Sequence, residues 1–124
     1  MVDKSKTVLV IEDDESVRNL VVRALSELYT TYQAGDAKAA LKLLESIRPP
    51  HLILCAVMMP GMSGTELVRQ LKQADAFKNV PIIFLTAKTG PLDVIEGINA
   101  GARSYVTKPF QMKDLLERIA KAMR

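Results

Sequence analysis

The residues Leu52-Ile53-Leu54-Cys55-Ala56-Val57 are apolar without interruption and stop at Met58-Met59-Pro60-Gly61-Met62-Ser63-Gly64. A run with no polar alternation reads as a strand buried on both faces, and its Pro/Gly-rich exit marks the strand's carboxyl end. Such a strand has to be covered on two sides, which calls for helices above and below a sheet. In an open α/β sheet, sites are built at the carboxyl ends of the strands.

The remainder of the chain repeats this plan. Met1 to Lys6 is polar and is expected to be frayed at its start. Thr7 to Ile11 is a second continuous β-branched run, Tyr29 to Ala34 a weaker Thr/Tyr-rich strand, Pro81 to Thr86 a buried strand ending in a hydroxyl, and Ser104 to Thr107 a short last strand. Between them, apolar residues recur at helical spacing. Ser16 to Leu28 carries Val17, Leu20, Val21, Ala24, Leu25 and Leu28, with Asp14 or Glu15 placed to suit the helix dipole. Ala37 to Ile47 carries Ala40, Leu41, Leu44 and Ile47 and is ended by Arg48-Pro49-Pro50. Gly64 opens a helix from Thr65 to about Gln73. Leu92 to Asn99 is a short helix terminated at Ala100-Gly101, and Met112 to Met123 is the last. Alternation of this kind predicts an α/β fold, a doubly wound five-stranded parallel sheet with right-handed crossovers. Residues 1–124 are expected to form one domain, with no repeat or linker visible in them.

Composition narrows the function classes. At 48% hydrophobic and 25% charged, the chain is an ordinary globular one. Its net charge of +3 is scattered along helices with no basic cluster and interleaved aromatics, so no nucleic-acid binding by this domain alone is expected. No long apolar segment or signal pattern is present, so no membrane contact and a cytoplasmic location are expected. The single cysteine, Cys55, reads as a small core residue, and His51 as an exposed strand-entry residue.

Polar residues collect at the strand exits. Glu12 and Asp13 follow the first strand, Met58 with its main-chain carbonyl follows the third, Thr86 ends the fourth, and Lys108 follows the fifth. In a sheet ordered 2-1-3-4-5 these groups face one crevice. Two acids and a carbonyl suit a hard cation such as Mg2+, while a hydroxyl and an amine suit phosphoryl oxygens. Taken singly, each has a plainer reading: acids as caps of the next helix, Thr86 bonded to its own backbone, Lys108-Pro109 as surface, Tyr105 as half-buried packing. Their joint position at one sheet edge argues against the plainer account.

Glu12-Asp13, Met58-Met59-Pro60-Gly61-Met62-Ser63-Gly64, Thr86-Ala87 and Lys108-Pro109-Phe110 together resemble the receiver domains of two-component response regulators, over essentially the whole chain. The resemblance implies a flavodoxin-like (βα)5 sheet of order 2-1-3-4-5. It implies Mg2+ bound by Asp13 directly, by Glu12 through water and by the Met58 carbonyl. Thr86 and Lys108 would hold phosphoryl oxygens, and Tyr105 would move with Thr86 when the domain switches. Implied partners are a histidine kinase or phosphotransfer protein, and a downstream protein on the face from Leu92 to Arg124.

The departure from the family is at its centre, because the phosphate-accepting aspartate falls on Ala56. A methyl group cannot attack a phosphodonor, so phosphorylation is expected to be absent, and no enzymatic activity is expected. A missing carboxylate at ~4 Å and an effective dielectric near ~20 removes roughly 4 kcal/mol of attraction to a unit charge, part of it offset by relief of repulsion with Asp13. Mg2+ binding is expected to be weak or absent. The chain is then an Asp-to-Ala variant or a natural pseudo-receiver, and either a stand-alone receiver or a fragment of a longer regulator. Retained Glu12, Asp13, Thr86 and Lys108 favour the first history, and Cys55 and His51 the second. The alternatives are a flavodoxin-like cofactor-binding domain, whose flavin phosphate Glu12-Asp13-Asp14 would repel, and a small phosphatase-type hydrolase without its nucleophile.

Overall fold

Successive residues of a strand point to opposite faces of its sheet, and here the two faces are filled by different helices. The computed structural model describes residues 4–124, so the Met1 to Asp3 part of the expected frayed start lies outside the described residues. The elements run β1 (Thr7–Ile11), α1 (Glu15–Ser26), β2 (Thr30–Ala34), α2 (Ala37–Leu44), β3 (Leu52–Cys55), α3 (Gly64–Lys72), β4 (Ile82–Thr86), α4 (Pro91–Ala100), β5 (Ser104–Thr107) and α5 (Met112–Ala122). All strand pairs are parallel, in the order β2-β1-β3-β4-β5. The expected sheet is therefore the observed one.

Leu9, Ile11, Ile53, Cys55, Ile82 and Phe84 point into the layer under α2, α3 and α4. Their neighbours Val8, Val10, Leu52, Leu54, Ile83, Leu85 and Val106 point into the layer under α1 and α5. Every residue of β3 and β4 is buried, which is why these strands carry no alternation. Each fully buried Leu, Ile or Phe contributes about 1.5–3 kcal/mol, so the core is concentrated in the strands whose exits form the crevice.

Several boundaries differ from the expected ones. β3 stops at Cys55, and Ala56 and Val57 already belong to its exit. Helices α1 and α2 end two and three residues early, because their last turns tighten: Leu28 N–H reaches the Leu25 carbonyl at 2.9 Å, and Ser46 N–H the Leu43 carbonyl at 3.0 Å. Ser63 caps α3, its hydroxyl accepting from Glu66 N–H at 3.2 Å, so Gly64 is the first helical residue rather than the one before it. Lys4 to Lys6 is tied down rather than frayed. The Thr30 hydroxyl donates to the Lys4 carbonyl at 2.7 Å, and Lys6 Nζ to the Met123 carbonyl at 3.2 Å.

Candidate functional site

The first exit begins with an acid that the fold buries. Glu12 is only 4% exposed. A buried carboxylate has to be paired, and both its oxygens are engaged: Lys108 Nζ lies 2.8 Å from Oε1, and Asp14 N–H donates to Oε2 at 3.1 Å. Asp13 next to it is exposed. Asp14 is the cap of α1, its Oδ1 accepting from Ser16 N–H at 2.9 Å and Val17 N–H at 3.2 Å. The plainer reading of acids as helix caps therefore holds for Asp14 and fails for Glu12.

The third exit starts at Ala56, whose N–H donates to the Ile11 carbonyl at 2.9 Å, so the ladder to β1 runs on past the strand. Ala56 is 4% exposed. Gly64 folds the Met58 to Ser63 loop back on it, with its N–H 2.7 Å from the Val57 carbonyl. A β-carbon on Gly64 would sit 1.9 Å from the Ala56 carbonyl oxygen, so only glycine fits. Met58 is 61% exposed at the loop's start.

At the fourth exit, the buried Thr86 hydroxyl accepts from Lys88 N–H at 3.2 Å, the local backbone bond expected of a strand-end threonine. Tyr105 Oη donates to the Lys88 carbonyl at 2.8 Å. Thr86 and Tyr105 thus grip the two sides of one residue. The Tyr105 ring meets Phe84 edge-on, with centroids 6.0 Å apart. Burial, then Asp93 and Glu96, push its phenol above the ordinary value.

The fifth exit supplies Lys108, whose N–H donates to the Thr86 carbonyl at 2.8 Å before its side chain turns toward Glu12. β3 and β4 lie between β1 and β5. Three inter-strand intervals of about 4.8 Å each separate the outer pair. The ammonium therefore reaches Glu12 across the exit of β3, where position 56 carries a methyl group.

Sequence reading missed two residues that shape this edge. Arg18 on α1 donates through a terminal guanidinium nitrogen to the Glu12 carbonyl at 2.8 Å, and through Nε to Gln33 Oε1 at 3.2 Å, clamping the acidic loop to β2. Lys88 is gripped through its main chain, which no side-chain pattern could reveal. His51 is exposed as expected, its Nδ1 accepting from Thr7 N–H at 3.0 Å. Cys55 is a core residue as expected, and burial, with Glu12 adding to it, pushes its thiol far above the ordinary range.

Tested against a divalent cation, the donor set falls short. One carboxylate, on Glu12, is already bonded at both oxygens, and Asp13 stands exposed beside it. Among the described residues no group of three or more His, Cys, Asp or Glu side chains is placed to hold a metal ion. As placed, the side chains at these exits do not by themselves fit a divalent cation site. Among the described residues, too, no helix is long and apolar enough to cross a membrane.

Residues 8–120 match the family model described as the response regulator receiver domain. The DNA-binding response regulator MtrA of Mycolicibacterium smegmatis is 39% identical over 118 residues, which are 94% of this chain and 50% of that protein. The chain thus spans about half the length of the curated relatives it matches. The chemotaxis protein CheY4 of Vibrio cholerae superposes with a TM-score of 0.88 at 31% identity, over 94% of this chain and 98% of that one. The Mn2+-bound form of the response regulator Rcp1 superposes at 0.80 with 27% identity, over 94% and 90% of the two chains.

Proposed function

Because the chain belongs to the response regulator receiver domain family, we propose that it is a two-component signalling module acting through protein–protein contact, with Ala56 in the place of the phosphate-accepting aspartate. One observation carries this reading. The Lys108–Glu12 ion pair, 2.8 Å long, joins the β5 exit to the β1 exit, and β3, whose exit begins at Ala56, lies between those two strands, which supports position 56 as the place where a nucleophilic carboxylate would be met by metal on one side and lysine on the other. A methyl group there forms no aspartyl phosphate.

Receiver domains bind Mg2+ at their acidic pocket, and this one binds it weakly or not at all, for want of the carboxylate at position 56. Thr86 and Lys108 are the phosphoryl-holding groups of the site and Tyr105 its switch aromatic. With no phosphoryl group to draw Thr86 away from Lys88 N–H, the unswitched population dominates unless a partner selects the other. Upstream, the partner is a histidine kinase or phosphotransfer protein. Downstream, it is a protein docking on Leu92 to Arg124, where Leu92, Ile95 and Ile98 are 80%, 53% and 43% exposed. Nucleic-acid contact is not assigned to this domain, and we place it in the cytoplasm. The flavin-binding alternative is not favoured, since the first loop presents Glu12, Asp13 and Asp14 where an anion would have to sit.

The test is Ala56→Asp, exposed to acetyl phosphate with Mg2+. The variant is expected to gain one phosphoryl group by intact mass and the unaltered chain none. Phosphorylation of the unaltered chain, or none of the variant, would sink the assignment of position 56.

A further inference from the structure

Lys108 is the one lysine of the described residues whose ammonium lies against a buried carboxylate. We infer that it serves as the resident cation of this site, occupying Glu12 in place of a divalent metal and tying the β5 exit to the β1 exit. The inference rests on the receiver reading above and concerns what the loss of a carboxylate at position 56 does to the groups left behind.

The charge balance explains why the pair forms. Glu12 and Asp13 bring two negative charges to the edge. Lys108 on Oε1 returns one positive charge, and Arg18 on the Glu12 carbonyl returns another, so that with the neighbouring Asp14 the loop is left one charge negative rather than three. Position 56 offers no anion, and Glu12 is the partner the ammonium takes. With Glu12 at 4% exposure, little water competes for that oxygen. A divalent ion approaching Glu12 has to displace Lys108 first, and meets a loop whose negative charge the ammonium has already reduced. Weak metal binding in this chain is then a matter of occupation by lysine as well as of a missing ligand.

The two causes separate experimentally. If lysine is the occupant, Lys108→Met frees Glu12, makes the site one charge more negative, and raises divalent affinity although Ala56 is untouched. The probe is Mn2+ alone, followed by the loss of its free-ion paramagnetic resonance signal at fixed pH and ionic strength. Lys108→Met and Lys108→Gln are each expected to bind Mn2+ at least about tenfold more tightly than the unaltered chain, and Lys108→Arg to stay weak. Adding Glu12→Gln to either tighter variant is expected to abolish the gain. Far-ultraviolet circular dichroism selects the variant that is folded, methionine keeping the aliphatic stem and glutamine keeping a polar end. No gain in the folded variant overturns the inference and leaves the receiver reading standing, and so does a gain that survives Glu12→Gln. Tight Mn2+ binding by the unaltered chain would overturn both the inference and the proposal of a weakened metal site.

Discussion

Gly97 and Tyr105 meet so closely that a β-carbon on residue 97 would lie 2.9 Å from two carbons of the tyrosine ring, and 3.1 Å from Phe84 Cδ2. This contact decides how α4 lies on β5, and it accounts for a glycine in mid-helix. In sequence that glycine looks like a source of mobility, at a cost of about 1 kcal/mol against alanine. In the fold it is the residue that lets α4 pass over the ring whose hydroxyl holds the Lys88 carbonyl.

Gly97→Ala is therefore expected to destabilise the domain despite its better helix propensity, since overpacking costs about 1–3 kcal/mol. Urea unfolding measures it. Combined with Tyr105→Ala, the same substitution should cost less, because the nearer of the two obstructing rings is gone and Phe84 alone remains to give way. An equal cost in both backgrounds would mean that the ring is not the obstacle.

Gly64→Ala should cost more, at or above the upper end of that about 1–3 kcal/mol range. Its obstacle is the main-chain oxygen of Ala56, which cannot swing aside as a side chain can. A midpoint of urea unfolding unchanged from that of the starting protein would contradict the close approach.

Ala56→Asp places a carboxylate at a position 4% exposed beside Glu12. Without Mg2+ the variant is expected to be no more stable than the unaltered chain, and less stable by about 1–3 kcal/mol if the new group lacks a partner. Added Mg2+ should recover that difference in the variant as ligand binding stabilises the folded state, and do little for the unaltered chain. Thermal unfolding with and without Mg2+ distinguishes the two.

The Cys55 thiol, raised by burial above its ordinary value of 9.0, binds its proton more tightly folded than unfolded. The sign follows directly. Its contribution is fully present below that ordinary value and is lost as pH rises above it, by about 1.4 kcal/mol per pH unit for one proton. Tyr105, raised by burial and by Asp93 and Glu96, acts in the same direction above 10.0. Cys55→Ala should flatten the loss of stability between about pH 9 and 10. Parallel pH profiles for the two proteins would refute it.

Leu92→Glu changes a residue that is 80% exposed. Its effect on stability should stay within about 0.5 kcal/mol, while binding to a downstream partner on α4, β5 and α5 falls at least about tenfold. Pairing equilibrium unfolding with a binding titration reads both at once.

Uninterrupted apolar runs such as Leu52 to Cys55 determined by themselves that the sheet would be covered on both faces, and their alternation with helical segments that it would be parallel. A side chain buried on either side of a strand has to be apolar whichever way it points, and that requirement is visible one residue at a time. The same locality disclosed the exits, since Pro60, Gly61 and Gly101 stop an element wherever they stand, and it disclosed Glu12, Asp13, Thr86 and Lys108 as polar groups at strand ends. What only the tertiary structure decided is which of these touch. Lys108 takes Glu12 from 96 positions away, Arg18 clamps the Glu12 carbonyl, Gly64 closes on the Ala56 oxygen, and Tyr105 reaches the main chain of Lys88. Each depends on where a side chain ends after four crossovers and a final helix have been packed, or on a backbone atom that every residue possesses. Neither leaves a trace in the order of the amino acids.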